Sequence, residues 1–132
     1  FVSENLDRSV CLTSMGQLRY LSALQFMDGV VGNSSSGLTE APSFKIGTIN
    51  IGDRQKGRIQ AHSVIDCEPT KQDIKCALMT LYSSSFQEKL MDVDNPYGNG
   101  GVAQRVVAVL RKSALHGLLK KSFYNINQAQ KQ

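Results

Sequence analysis

The stretch GVVGNSSSGLTEAPSF, residues 29–44, decides the fold. Gly29-Val30-Val31 is a short apolar run bounded by turn residues, the pattern of a strand buried on both faces of a parallel sheet. Six small residues follow, Gly32-Asn33-Ser34-Ser35-Ser36-Gly37, three of them hydroxyl-bearing, and then a short helical stretch up to Phe44. A strand that passes through a glycine- and serine-rich turn into a helix is the opening of a βαβ unit.

Working outward, Val10-Cys11-Leu12-Thr13 is a β-favouring run, and residues 17–27 carry Leu18, Leu21 and Leu24 with Tyr20 and Ala23 at helical spacing. Thr48-Ile49-Asn50-Ile51 and Ser63-Val64-Ile65-Asp66-Cys67 are two further strand candidates. Glu68-Pro69-Thr70 reads as a helix entrance with Thr70 as N-cap and Asp73 three residues on, ahead of the stripe Ile74, Ala77, Leu78, Leu81. Another helix begins after Gly100-Gly101 with Val102, Val106, Val109 and Leu110 on one side. Leu115, Leu118, Leu119 and Phe123 continue an amphipathic pattern past a break near Gly117. The tail, residues 125–132, has little to bury and is expected to be disordered. Four strand candidates alternating with helices predict an α/β fold with a Rossmann-like parallel sheet, right-handed crossovers and flanking helices. A doubly wound domain usually has five or six strands, so part of the domain is expected upstream.

The chain has 132 residues, 41% hydrophobic and 20% charged, the composition of one globular domain. It opens on Phe1 with neither a basic start nor a signal-like apolar stretch, and is expected to be a piece of a longer chain. No apolar run reaches the roughly 18 to 20 residues that a membrane helix needs. Cys11, Cys67 and Cys76 are three cysteines without C-x-x-C spacing, which argues against a disulfide framework or zinc ribbon and for a reduced, cytoplasmic setting. The net charge of +4 comes from 15 basic and 11 acidic side chains, the basic ones falling mainly in residues 45–58 and 105–121. That balance fits an anionic ligand.

In an open parallel sheet, ligands bind at the carboxyl ends of the strands. Residues 32–37 lie at such an end, where glycine admits close backbone approach, serine hydroxyls donate and a helix start has unpaired amides; the natural guest is a phosphate or diphosphate. The pattern is neither a Walker loop nor a standard dinucleotide fingerprint, and a plain capped turn explains Asn33 and the serines as well. Glu40 lies about a turn further on, where a carboxylate can accept from two ribose hydroxyls. The loop Gly52-Asp53-Arg54-Gln55-Lys56-Gly57-Arg58 follows the next strand at the same sheet edge and can bring a guanidinium to a diphosphate; alternatively it is a solvated basic turn.

The segments SMGQLRYLSAL (residues 14–24), GNSSSG-x-x-EAPSF, TINIGDRQ-x-GR and NPYGNG together resemble the C-terminal domain of UDP-N-acetylglucosamine 2-epimerases, particularly the hydrolysing type that feeds sialic acid synthesis. The resemblance runs over about residues 14–110. It implies a GT-B-like enzyme of two Rossmann-like domains, with residues 1–124 as part of the C-terminal, nucleotide-binding one. Ser34 and Ser35, with Ser36 and Gly37 beside them, would hold the diphosphate of UDP, Glu40 the ribose, and Arg54 would face the nucleotide, with Arg58 as a weaker candidate. The family removes the proton at C2 of the sugar, eliminates UDP to a glycal-like intermediate and adds water or UDP back. Its carboxylates and its histidine would lie upstream, so this chain is expected to carry no catalytic residue and no metal, and to be inactive alone. Neither His62 nor His116 falls at the family's histidine position.

The reaction implied is UDP-N-acetylglucosamine to N-acetylmannosamine and UDP. The partners are UDP, UDP-N-acetylglucosamine and an N-terminal domain of the same chain, with homo-oligomerisation of the full enzyme left open. Nucleic acid, membrane and cofactors are not among them. Two other readings stand beside this one: the C-terminal domain of another GT-B glycosyltransferase, and a free-standing anion- or nucleic-acid-binding module. The absence of tryptophan and the placement of Tyr20, Phe26, Phe44 and Tyr82 in apolar patterns argue against single-strand binding.

Overall fold

The computed structural model describes residues 1–114, 116 and 117. They form two compact units, residues 1–99 and the segment from Gly100 onward.

In the first unit three parallel strands, β1 (Gly29–Gly32), β2 (Gly47–Ile51) and β3 (Val64–Cys67), form a sheet of order β1-β2-β3. Val31 pairs with Ile49 and Ile49 with Ile65. Helix α1 (Gly16–Leu24) precedes β1, and a single turn α2 (Ser36–Thr39) runs into a 3-10 turn, Ala41–Phe44, between β1 and β2. Helices α3 (Lys71–Leu81) and α4 (Ser84–Met91) follow β3. The arrangement is a Rossmann-like α/β sheet with flanking helices.

Residues 10–13 form no strand, contrary to the sequence expectation; Val10 and Leu12 are 75% and 54% exposed. A β-favouring run becomes a strand only when it finds a partner edge, and this one pairs with no strand of the sheet. β1 also departs from a strand buried on both faces. It is an edge strand, and Val31 is 51% exposed. Central β2 takes that role instead, with Gly47, Thr48, Ile49 and Asn50 all buried.

The α3 entrance forms as predicted. The Thr70 hydroxyl accepts from the Asp73 amide at 3.1 Å and lies 2.6 Å from Asp73 Oδ2, so cap and third-position carboxylate support each other. Ser83 caps α4 in the same way, accepting from the Phe86 amide at 3.3 Å. One face of each helix, Ala77 and Leu81 on α3, Phe86 and Leu90 on α4, packs with Ile49, Ala61 and Val93 into the core. Leu78, assigned to the same stripe by spacing, is 37% exposed. The helices approach the sheet so closely that Gly29 and Gly47 have no room for side chains. A Cβ on Gly47 would stand 2.2 Å from Leu81 Cδ1 and 2.9 Å from Phe86 Cε1.

The second unit contains α5 (Val102–Lys112), entered through Gly101 at φ 72° and ending on Arg111 and Lys112, cations suited to the negative end of a helix. Its stripe Val102, Val106, Val109 and Leu110 is present and exposed. Leu115, Leu118, Leu119, Phe123 and residues 125–132 lie outside the described residues. No helix among the described residues is long and apolar enough to cross a membrane.

Candidate functional site

Both β1 and β2 leave the sheet at their carboxyl ends through a glycine whose backbone a side chain would strain, Gly32 at φ 150° and Gly52 at φ 77°. The two loops that follow therefore turn sharply at the same edge and meet.

In the first loop, the Ser34 hydroxyl accepts from the Ser36 amide at 3.3 Å, the Ser34 carbonyl from the Gly37 amide at 3.3 Å, and the Ser35 carbonyl from the Leu38 and Thr39 amides at 2.9 Å each. Among the described residues the Ser34 and Ser35 amides donate to no protein acceptor. The helix they enter is one turn long. Glu40 closes it, its amide donating to the Ser36 carbonyl at 2.9 Å, and stands at the junction with the 3-10 turn rather than in the first turn of a longer helix. So short a helix sums few peptide dipoles, and donor groups rather than a macrodipole are what this loop offers an anion.

Gly37 is buried against β2. The Thr48 hydroxyl donates to the Gly37 carbonyl at 2.8 Å, and a Cβ on Gly37 would meet Thr48 Cγ2 at 2.5 Å. Its part in the loop is close helix-to-sheet packing.

The Ser36 hydroxyl stands 2.5 Å from Glu40 Oε2 and 2.5 Å from the Tyr20 hydroxyl, all three residues half-buried. Ser36 is thus engaged on two sides by protein groups.

The second loop clasps the first. Gln55, 2% exposed, donates from Nε2 to the Asn33 carbonyl at 2.7 Å, and Arg54 Nη1 donates to Asn33 Oδ1 at 3.4 Å. Arg54 thereby joins Ser34 and Ser35 at one edge. The Arg58 side chain makes no hydrogen bond to the described residues of this loop. It lines a cleft of about 810 Å³ with Asn50, Lys56, Asp66, Cys67 and Cys76, on the β3 and α3 side, and none of Ser34, Ser35, Ser36, Gly37 and Glu40 lines that cleft.

Asn33, Gln55 and Tyr20 were not singled out as site residues by sequence. The only local signal for Gln55 is an uncharged residue between Arg54 and Lys56. The NPYGNG segment has a bracing role: Asn95 Nδ2 donates to the Thr39 carbonyl at 2.8 Å and to the Ser43 hydroxyl at 2.7 Å, and the Tyr97 hydroxyl donates to the Ile59 carbonyl at 3.0 Å. It ties the exit of α2 and the β2–β3 connection to the end of the unit.

His62 and His116 are exposed, and no group of three His, Cys, Asp or Glu among the described residues is arranged to share a metal ion. Cys67 is half-buried at the end of β3. Burial first, then the carboxylates of Asp73, Asp66 and Glu68, push its thiol above its ordinary range. Since the thiolate is the nucleophile, iodoacetamide near neutral pH is expected to modify exposed Cys11 and Cys76 well before Cys67, read by peptide mass mapping. Equal rates at Cys67 and Cys76 would contradict this ordering.

With the geometry established, the chain matches the family model described as UDP-N-acetylglucosamine 2-epimerase over residues 2–111. It is 38% identical over 100 residues to the polysialic acid biosynthesis protein P7 of Escherichia coli, covering 76% of this chain and 26% of that protein. It is 35% identical over 127 residues to the GDP/UDP-N,N'-diacetylbacillosamine 2-epimerase (hydrolyzing) of Campylobacter jejuni, 96% of this chain and 33% of the other. A UDP-N,N'-diacetylbacillosamine 2-epimerase (hydrolyzing) of Legionella pneumophila is 32% identical over 97 residues, 74% and 25% of the two chains. The chain thus spans a quarter to a third of the length of these relatives.

Proposed function

Because the chain belongs to the UDP-N-acetylglucosamine 2-epimerase family, we propose that it is the UDP-holding portion of a hydrolysing UDP-sugar 2-epimerase. The observation that carries this reading is the clasp at Asn33, where Arg54 and Gln55 reach across from the second loop. It ties a guanidinium to the residue just before Ser34 and Ser35, whose amides donate to no described residue. That combination suits a diphosphate, which needs both positive charge and several donors. Ser34 and Ser35 hold the diphosphate, Arg54 balances its charge, and Glu40 accepts from the ribose hydroxyls. Ser36 and Gly37 shape the loop, and Arg58, in the adjoining cleft, serves groups beyond the diphosphate.

The substrate is UDP-N-acetylglucosamine and the products N-acetylmannosamine and UDP. Two of the relatives are named as hydrolyzing 2-epimerases, one of GDP/UDP-N,N'-diacetylbacillosamine and one of UDP-N,N'-diacetylbacillosamine, which supports the hydrolysing outcome. The reaction removes the C2 proton, expels UDP and hydrates the resulting double bond. It needs an acid and a base aligned on the sugar, and these belong to the other domain of a GT-B-like enzyme of the cytoplasm, across the cleft between the two domains. In this division of labour, the chain contributes by binding the leaving group and stabilising its charge.

Titrating the 132-residue chain with UDP tests the reading. Amide shifts are expected to move in residues 32–40 and 52–58, with a dissociation constant on the order of high micromolar to millimolar because one wall of the cleft is absent. Arg54→Ala should weaken binding by about tenfold or more, the value of a charge-assisted hydrogen bond. The proposal is wrong if shifts avoid both loops, or if the chain alone releases UDP from UDP-N-acetylglucosamine.

A further inference from the structure

We propose that Tyr20, on α1, is a positioning residue that orients Glu40 for the ribose through Ser36. The proposal rests on the nucleotide reading above and adds to it a specificity device that spans two helices. A serine hydroxyl has one proton, yet Ser36 Oγ has oxygens 2.5 Å away on both sides. An ionised carboxylate can only accept, so Ser36 donates to Glu40 Oε2 and must accept from the other neighbour. The phenol of Tyr20 is therefore the donor at the head of a three-member chain: Tyr20 hydroxyl to Ser36 Oγ, Ser36 hydroxyl to Glu40 Oε2.

Each link polarises the next, and partial burial of all three residues shields the chain from water. Glutamate has three side-chain torsions and, left to itself, would lose much rotamer freedom on meeting a ligand. Here Oε2 is held in advance, and Oε1 takes no hydrogen bond from any described residue. The carboxylate thus presents one free oxygen, plus a remaining lone pair on Oε2, to a pair of vicinal hydroxyls. The geometry also separates the three serines: the Ser34 and Ser35 amides donate to no described residue, whereas the Ser36 side chain acts through Glu40.

A residue that merely packs would not alter which sugar is preferred, so the decisive readout is the ratio of affinities for UDP and 2'-deoxy-UDP. In the 132-residue chain, Tyr20→Phe is expected to weaken UDP about three- to tenfold, the range of one hydrogen-bonded positioning contact, and to bring the ratio towards one. Binding of inorganic diphosphate should stay unchanged. Ser36→Ala should reproduce the loss, and the double variant should be no worse than Ser36→Ala alone, because both changes cut one chain. Amide spectra report whether each variant is folded; should Tyr20→Phe not fold, Ser36→Ala tests the same link. If the parent chain binds UDP and discriminates against 2'-deoxy-UDP, but both variants keep that ratio, the positioning role is refuted while the nucleotide site stands. A variant that loses inorganic diphosphate equally refutes it, as that is general damage to the loop. A parent chain that ignores UDP, or binds both nucleotides alike, overturns the role together with its premise.

Discussion

Leu81→Ala is expected to remove about 2–5 kcal/mol of stability, the range for deleting a buried leucine from a site that cannot collapse. Leu81 is 2% exposed and presses on the two glycines where β1 and β2 pass beneath α3. The strand backbones are fixed by parallel pairing, Gly29 opposite Gly47, and cannot move up to fill the space. The converse change is instructive. Gly47→Ala would drive a Cβ to 2.2 Å from Leu81 Cδ1 and 2.9 Å from Phe86 Cε1, an overpacking cost of about 1–3 kcal/mol. The double variant should cost clearly less than the sum, since the smaller residue at 81 makes room for the larger one at 47. Denaturant unfolding of the four proteins measures the coupling. Strict additivity would show that α3 does not ride on the sheet as described.

Gly37→Ala is expected to cost about 2–3 kcal/mol and to abolish the nucleotide-induced shifts in residues 32–40. The added Cβ would lie 2.5 Å from Thr48 Cγ2, on the central strand, so the α2 turn rather than the sheet must give way. Moving it breaks the Thr48 hydroxyl bond to the Gly37 carbonyl and displaces Ser34, whose carbonyl accepts the Gly37 amide. Thr48→Ser removes the obstructing methyl and keeps the hydroxyl. Adding it to Gly37→Ala should restore most of the lost stability and return the shifts. A Gly37→Ala protein with full stability and an unchanged titration would mean that this loop is not held by β2.

The features legible in the sequence are those whose causes are local. Thr70 and Asp73 sit three residues apart, and the bonds that start α3 join those same residues. The apolar runs at residues 29–31, 48–51 and 63–67 became parallel strands, because βαβ spacing leaves few other ways to bury them. Glycine at positions 32 and 52 marked the sharp exits where two loops can face one ligand. The combined motifs around them were specific enough to indicate the family.

Tertiary structure decided whatever depends on pairing between distant parts of the chain. Residues 10–13 are as β-favouring as residues 64–67, but only the latter have a strand beside them. Which strand is central, and hence why Val31 is exposed and Ile49 is not, follows from sheet order and not from composition. Ser83 and its helix leave little trace in the sequence, because Phe86 and Leu90 form only a short apolar spacing, made meaningful by the core they enter. The two loops show the same division. Ser34, Ser35, Glu40 and Arg54 stand out in the sequence as candidate ligand groups by their chemistry, but Asn33 becomes the meeting point of the loops only when Gln55 arrives from 22 residues away, and Tyr20 reaches Ser36 across 16. A hydrogen bond between such positions leaves no periodic trace in a sequence, since it is made by the chain's path through space.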